Sequence, residues 1–171
     1  MQGERVRRYL QEQNVGFEPM EHPRAVQAQS VARAEHESGW RVAKPVMLRL
    51  GGELAMAVVP APVRVDLEKV KVALGRDDVE LAGESDYALA FPDCELGAEP
   101  PFGNLYGLPV FVDRGLLADP YLVFRDGTHQ GTLKIAMRDY LRLAHPSELD
   151  MGILPPNLPN ETKLWKEPIW G

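Results

Sequence analysis

Residues 41–61, RVAKPVMLRLGGELAMAVVPA, hold two apolar runs that flank Gly51-Gly52. Two such runs about a glycine pair predict a β-hairpin. Alternate side chains of a strand share one face. Lys44 is therefore expected on the face of Val46, Leu48 and Leu50, with Met47 and Arg49 pointing the other way. Pro45 cannot donate to a ladder, which places it at a strand start or on an edge. Lys44 is then expected at the mouth of the sheet, its stem on the core and its amine toward a cavity or solvent.

The periodicity elsewhere is short-ranged. Val6, Tyr9, Leu10 and Gln13 recur at spacings of three and four, predicting a helix over 4–14 that Asn14 and Gly16 end. FEPMEHP reads as extended, and the Ala-rich residues 25–36 as a second helix. VDLEKVKVALG predicts a helix capped by Asp66, buried along Leu67, Val70 and Leu74, and stopped by Gly75. DVELA reads as a strand, ESDYALAFP as a short helix closed by Pro92, and ELGAEPPFGNLYG as a loop. LPVFVD, YLVFRD and GTLKI read as strands. AMRDYLRLA predicts a helix with Met137, Tyr140, Leu141 and Ala144 on one side. Hairpins mixed with short helices indicate an α+β domain on a mixed or antiparallel sheet over residues 1–149. Residues 150–171 carry four prolines and no helical period, and are expected to form a tail.

Composition narrows the class. The chain has 171 residues, 44% hydrophobic and 26% charged, as expected of one globular domain. No apolar run spans a membrane, and MQGERVRRYLQEQN lacks the apolar core of a signal peptide. Cys94 is the single cysteine, which excludes an intrachain disulfide and suits a reducing, cytoplasmic setting. The net charge of -6 counts mildly against nucleic acid as a partner. It is uneven, however: residues 1–49 hold 8 basic and 6 acidic side chains, a balance of +2, against 11 and 19 in residues 50–171. A local basic patch is expected in the N-terminal third.

The chemistry-bearing residues are sparse. His22, His36, His129 and His145 show no paired spacing, so no metal site is expected. Cys94 has no recognisable histidine partner and reads as a small hydrophobe. No nucleophile elbow or Walker pattern occurs, and no cofactor is expected. Three places remain. Lys44 reads either as a snorkelling strand-end lysine or as a cation held toward an anionic or oxygen-rich ligand. Pro100-Pro101-Phe102-Gly103 is a stiff approach ending in a glycine that lets backbone pass close to a ligand. Asp126 to Gly131, DGTHQG, frames His129 between glycines, either as a hairpin tip or as a pocket wall.

Taken in order, EHPRAVQAQSVA, RVAKPVMLRL, LAMAVVPAPVRVDLEKV, LGAEPPFG, LPVFVD and GTHQGTLKI resemble the YbaK family. These are free-standing aminoacyl-tRNA editing domains related to the insertion domain of bacterial prolyl-tRNA synthetases. The resemblance runs from about residue 20 to about residue 145. It implies a mixed β-sheet, strongly curved and barrel-like, flanked by helices. It implies metal-free hydrolysis of the ester between a wrong amino acid and the tRNA 3′-terminal adenosine, the substrate being a small residue such as Ala or Cys on a tRNA-Pro-like partner. By the resemblance Lys44, Gly103 and His129 are the catalytic residues, and His22, Pro101, Phe102, Gly127 and Thr128 bind substrate. An aminoacyl-tRNA synthetase is a further partner on this reading. The chain departs from the pattern at Pro45, where the family has Thr or Asn, and at Gln27, where Thr is common. Pro45 removes a polar side chain and a backbone donor beside Lys44. Two other classes stand against the deacylase: a non-catalytic aminoacyl- or nucleotide-binding module of the same fold, and a scaffold whose tail captures a partner.

Overall fold

The architecture was obtained as a computed structural model, which describes residues 2–21 and 39–154. The helix expected over 25–36, with His22 and Gln27, and most of the C-terminal tail lie outside the described residues.

The hairpin forms as its pattern requires. Strands β2 (Ala43–Leu50) and β3 (Glu53–Pro60) pair antiparallel from Ala43↔Pro60 to Leu50↔Glu53, and Gly51 adopts φ 63 in the turn. This hairpin is the centre of a five-stranded sheet. Strand β5 (Val79–Leu81) flanks β2 antiparallel, and β6 (Val110–Asp113) joins β3 in parallel. Strand β9 (Ser147–Leu149) closes the order β5-β2-β3-β6-β9. Ala55, Met56, Ala57, Val58 and Val59 of β3 are all fully buried, as expected of a central strand covered on both faces.

The two faces carry two cores. Ala43 and Met47 of β2 and Met56 and Val58 of β3 join the larger cluster. Leu48, Ala57 and Val59 join the smaller one, where Trp40, Val63 and Met151 pack with Val70 of helix α2 (Leu67–Leu74). Helix α2 starts and stops as read: the Asp66 carboxylate accepts from the N–H of Glu68 at 3.0 Å and of Lys69 at 3.4 Å, and Gly75 is left-handed at φ 64. Helix α3 (Glu84–Tyr87) is a single turn continued by a 3-10 turn at Ala88–Ala90.

The larger cluster is roofed by a second, three-stranded antiparallel sheet in the order β1-β8-β7: β1 (Glu18–Glu21), β7 (Tyr121–Arg125) and β8 (Gly131–Ala136). Leu122, Phe124, Leu133 and Ile135 fill its inner face. Helix α1 (Arg5–Glu12) adds Val6 and Leu10. Helix α4 (Met137–Ala144) buries Met137, Tyr140, Leu143 and Ala144, whereas Leu141 faces outward. The buried stripe is thus centred between Tyr140 and Ala144, and Leu143 takes the place expected of Leu141. At the C-terminal end, Met151 is fully buried and β10 (Gly152–Ile153) pairs with β4 (Arg64–Val65).

The α+β class with mixed sheets is observed, but the barrel-like curvature is not. No sheet closes. Among the described residues a single parallel bridge, Val42↔Val123, links the two larger sheets. Pro45 explains why that ladder goes no further. Met47 accepts from Ala82 N on the β5 side of β2. The peptide of Pro45, two residues earlier, faces the same way and has no hydrogen to give. Among the described residues, no strand pairs with that side of β2 between the Val42 bridge to β7 and Met47, whose carbonyl holds Ala82 N.

Candidate active site

Two groups of charged side chains stand on strands β2 and β7. Lys44 leaves β2 on the face of Val46 and Leu48, as its alternation requires. It is half-buried, and Nζ donates to the carbonyl of Ala61 at 3.2 Å. Burial, with the Arg64 guanidinium as a second cause, lowers its pKa to about 8. The second group stands on β7. Val42 and Val123 are bridged in parallel, so Lys44 and Arg125, each two residues further on, leave the same face of adjacent strands.

Arg125 is buried, and its charge is held by backbone and imidazole. Nη1 donates to the carbonyl of Gly97 at 2.9 Å and to Nδ1 of His129 at 3.1 Å. His129 Nε2 in turn donates to the carbonyl of Leu96 at 2.8 Å. An arginine has only donors, so Nδ1 must accept and Nε2 must carry the proton. This neutral tautomer ties the β7–β8 hairpin to the loop at Leu96 and Gly97. Glu99 completes the group: Oε1 accepts from Gly97 N at 3.1 Å. Burial raises its carboxyl above the usual range, opposed by that backbone contact and by the Arg125 guanidinium. Burial lowers Arg125 to about 10, against the pull of Glu99.

The expected site residues fall into two sets. Gly127, Thr128 and His129 lie in the hairpin loop that borders this group. Gly127 needs its glycine, at φ 108, and a Cβ there would meet Gly3 N at 3.3 Å. Thr128 turns inward onto Asp126, donating from N at 2.9 Å and from Oγ1 at 2.7 Å. The second set lies behind the loop. Phe102 is fully buried, with ring centroids 5.4 Å from Phe124 and 5.3 Å from Tyr140. The carbonyl of Pro101 accepts from the Tyr140 hydroxyl at 2.9 Å. Gly103 faces the larger core, where a Cβ would come within 3.1 Å of Val110 Cγ2 and 3.2 Å of Met56 Cβ. That is the opposite face of the β2–β3 sheet from Lys44. The glycine beside His129 is Gly97, at φ 85 with Cε1 of His129 3.6 Å from a Cβ position.

Gly97, Glu99 and Arg125 were not singled out in the sequence. Arg125 ends the apolar run YLVF, where alternation alone suggests an outward, solvated charge. Gly97 and Glu99 sit in a Pro-rich loop with no period to read. Cys94 behaves as a packed thiol: Sγ lies 3.3 Å from the Tyr106 oxygen, and burial pushes its pKa up to about 12. Among the described residues, no three His, Cys, Asp or Glu side chains are grouped to hold a metal ion. A cleft of about 550 Å³ between Leu117 and Arg138 carries no converging set, since its Asp119 is bound to Arg41 at 3.1 Å. No helix among them is long and apolar enough to cross a membrane.

The span holding all these groups, residues 22–143, matches the aminoacyl-tRNA editing domain family. The chain belongs to that family. No curated protein matches it by sequence. The editing domain also resembles solved structures. A candidate trans-editing enzyme for prolyl-tRNA synthetase gives a TM-score of 0.77 at 21% identity, over 88% of this chain and 96% of that one. The hypothetical protein APE2540 gives 0.78 at 17% identity, over 86% and 99%. A protein from computational grafting of epitope backbones onto scaffolds gives 0.76 at 23% identity, over 88% and 96%. At such identities the likeness speaks for the fold of the editing domain alone.

Proposed function

We infer that this chain is a trans-editing hydrolase, one that removes a wrongly attached small amino acid such as Ala or Cys from a tRNA-Pro-like tRNA. The observation that carries the reading is the half-buried Lys44 on the face of the β2–β3 sheet onto which the Val42↔Val123 bridge also directs Arg125, itself bound to Gly97 and His129, in a chain of the editing family. An aminoacyl ester is already activated, so hydrolysis needs an aimed water and a stabilised oxyanion, and no triad. Lys44 serves as the cation. With a pKa of about 8, roughly nine in ten molecules carry the ammonium at pH 7. It anchors the phosphate or ribose oxygens of the 3′ end. Gly127 and Thr128 shape one wall through backbone groups. His129, held neutral, fixes that wall against Leu96. Pro101, Phe102 and Gly103 act from behind, keeping the opposite loop in place. His22 is assigned to the substrate side by the family pattern alone.

Selection is by exclusion, because a tight apolar pocket separates one methylene by only ~1–3 kcal/mol. The test is a deacylation panel of mischarged tRNAs. The reading expects release of Ala or Cys and retention of larger residues. Intact ester on every member of the panel would overturn it. Pro45 favours a second reading, a non-catalytic aminoacyl-binding module, because it strips a donor from the strand edge beside Lys44. That module would bind the same RNAs and leave every ester intact.

A further inference from the structure

Helix α1 precedes the span matched by the family, yet it reaches both loops of the site. Val6 and Leu10 seat it in the larger core. Arg7 grips Asp126: Nη2 lies 2.9 Å and Nε 3.3 Å from Oδ2. Asp126 is only 5% exposed. Its other oxygen takes both Thr128 bonds, and Thr128 Oγ1 accepts from Gly131 N at 3.0 Å. The carboxylate thus wires the turn that carries Gly127 and His129.

Arg5 holds the other loop. Its Nε lies 3.0 Å from Asp93 Oδ2, and Nη1 donates to the carbonyl of Leu105 at 3.3 Å. The guanidinium carbon stands 4.6 Å from the centroid of the Tyr106 ring. One backbone bond joins the two loops, Glu95 N to Gly127 O at 2.8 Å. Arg8, on the same helix, makes no such reach. It pairs loosely with Glu4, at 3.8 Å.

We propose that Arg5 and Arg7 form a clamp that positions the Asp93–Glu99 segment, gripped at Asp93, and the Asp126–His129 turn for hydrolysis. They are positioning residues and touch no substrate. The clamp rests on the functional reading above for its consequence, but not for its mechanics. A buried carboxylate that organises a turn is stable only while its charge is matched, and Arg7 supplies the match through two bonds from one rigid fork. Loops held in this way present their backbone groups without reorganisation at the moment of reaction, which appears in kcat more than in KM.

The test compares Arg5→Gln, Arg7→Gln, Arg7→Lys, the double variant Arg7→Gln/Asp126→Asn, and Arg8→Gln as control. The double variant leaves no unmatched buried charge if Arg7→Gln alone fails to fold. Single-turnover deacylation of a mischarged tRNA should lose about tenfold or more in kcat for Arg5→Gln, Arg7→Gln and the double variant, with KM within about twofold. Arg7→Lys should recover most of the loss, and Arg8→Gln should match the parent. Amide hydrogen exchange reads the clamp without any activity. Protection should fall at Glu95, Thr128 and Gly131 while the β2–β3 amides keep theirs. Unchanged protection at those three amides overturns the clamp whether or not the parent deacylates. Lost protection with unchanged kcat overturns its catalytic consequence. A parent with no activity but a responsive loop refutes the hydrolase and leaves the clamp standing.

Discussion

Lys44 and Arg125 occupy matching positions, each two residues beyond the Val42↔Val123 bridge between the two larger sheets. Their charged heads take different partners, Ala61 O at 3.2 Å for Lys44 and Gly97 O at 2.9 Å for Arg125. This relationship makes pH informative. If the Lys44 ammonium holds the RNA end, turnover falls as pH rises through about 8. A lysine acting as general base would give the opposite slope, with activity rising through the same point. A single-turnover pH profile, corrected for spontaneous ester hydrolysis, separates the two.

The same group makes a prediction about stability. Its folded pKa, at about 8, lies below the 10.5 of a free lysine. The unfolded chain therefore binds more protons between those values, and stability gained from Lys44 rises with pH across that window. Below it, the folded state must hold a partly desolvated charge. Lys44→Met should raise stability at pH 7 by about 1–2 kcal/mol in denaturant unfolding, less whatever the lost bond to Ala61 O contributed. A clear loss of stability would mark Lys44 as a structural lysine.

His129 should behave in the reverse way. Its two ring nitrogens engage Arg125 and Leu96, both in buried surroundings. His129→Ala removes the acceptor of one bond and the donor of the other, and should cost about 2–3 kcal/mol. Loss of activity should accompany it, measured per folded molecule. Thermal unfolding and deacylation on the same preparation check both.

Gly103→Ala isolates the loop from behind. A new Cβ would press on Val110 at 3.1 Å and Met56 at 3.2 Å, both fixed by β6 and β3. The expected loss is about 1–3 kcal/mol of stability. Activity should fall as well if this loop is held in place for the site. Full turnover in a destabilised variant would reduce Gly103 to packing.

Much of this fold could be read from local pattern. The Gly51 turn, the Asp66 and Gly75 caps and the face of Lys44 each depend on residues a few positions apart. What could not be read depends on distant partners. Residues 18–21 look merely extended until β8 pairs with them, and SEL at 147–149 has no alternation beyond its three residues to reveal the parallel partner β6. Leu141 and Leu143 are equally apolar, and only the seat of α4 on the core decides which is buried. Arg125 gives no sign in the sequence of its buried place, because its carbonyl and imidazole partners lie in another part of the chain and across a turn. The barrel-like curvature expected from the family resemblance is not seen among the described residues, and Pro45 has no N–H with which to extend the bridge at Val42.

The most direct test is single-turnover release of alanine from mischarged Ala-tRNA by the parent chain and by Lys44→Ala, with both shown to be folded. The account predicts hydrolysis by the parent and a rate for Lys44→Ala at the spontaneous background. Equal release by the two proteins would contradict it.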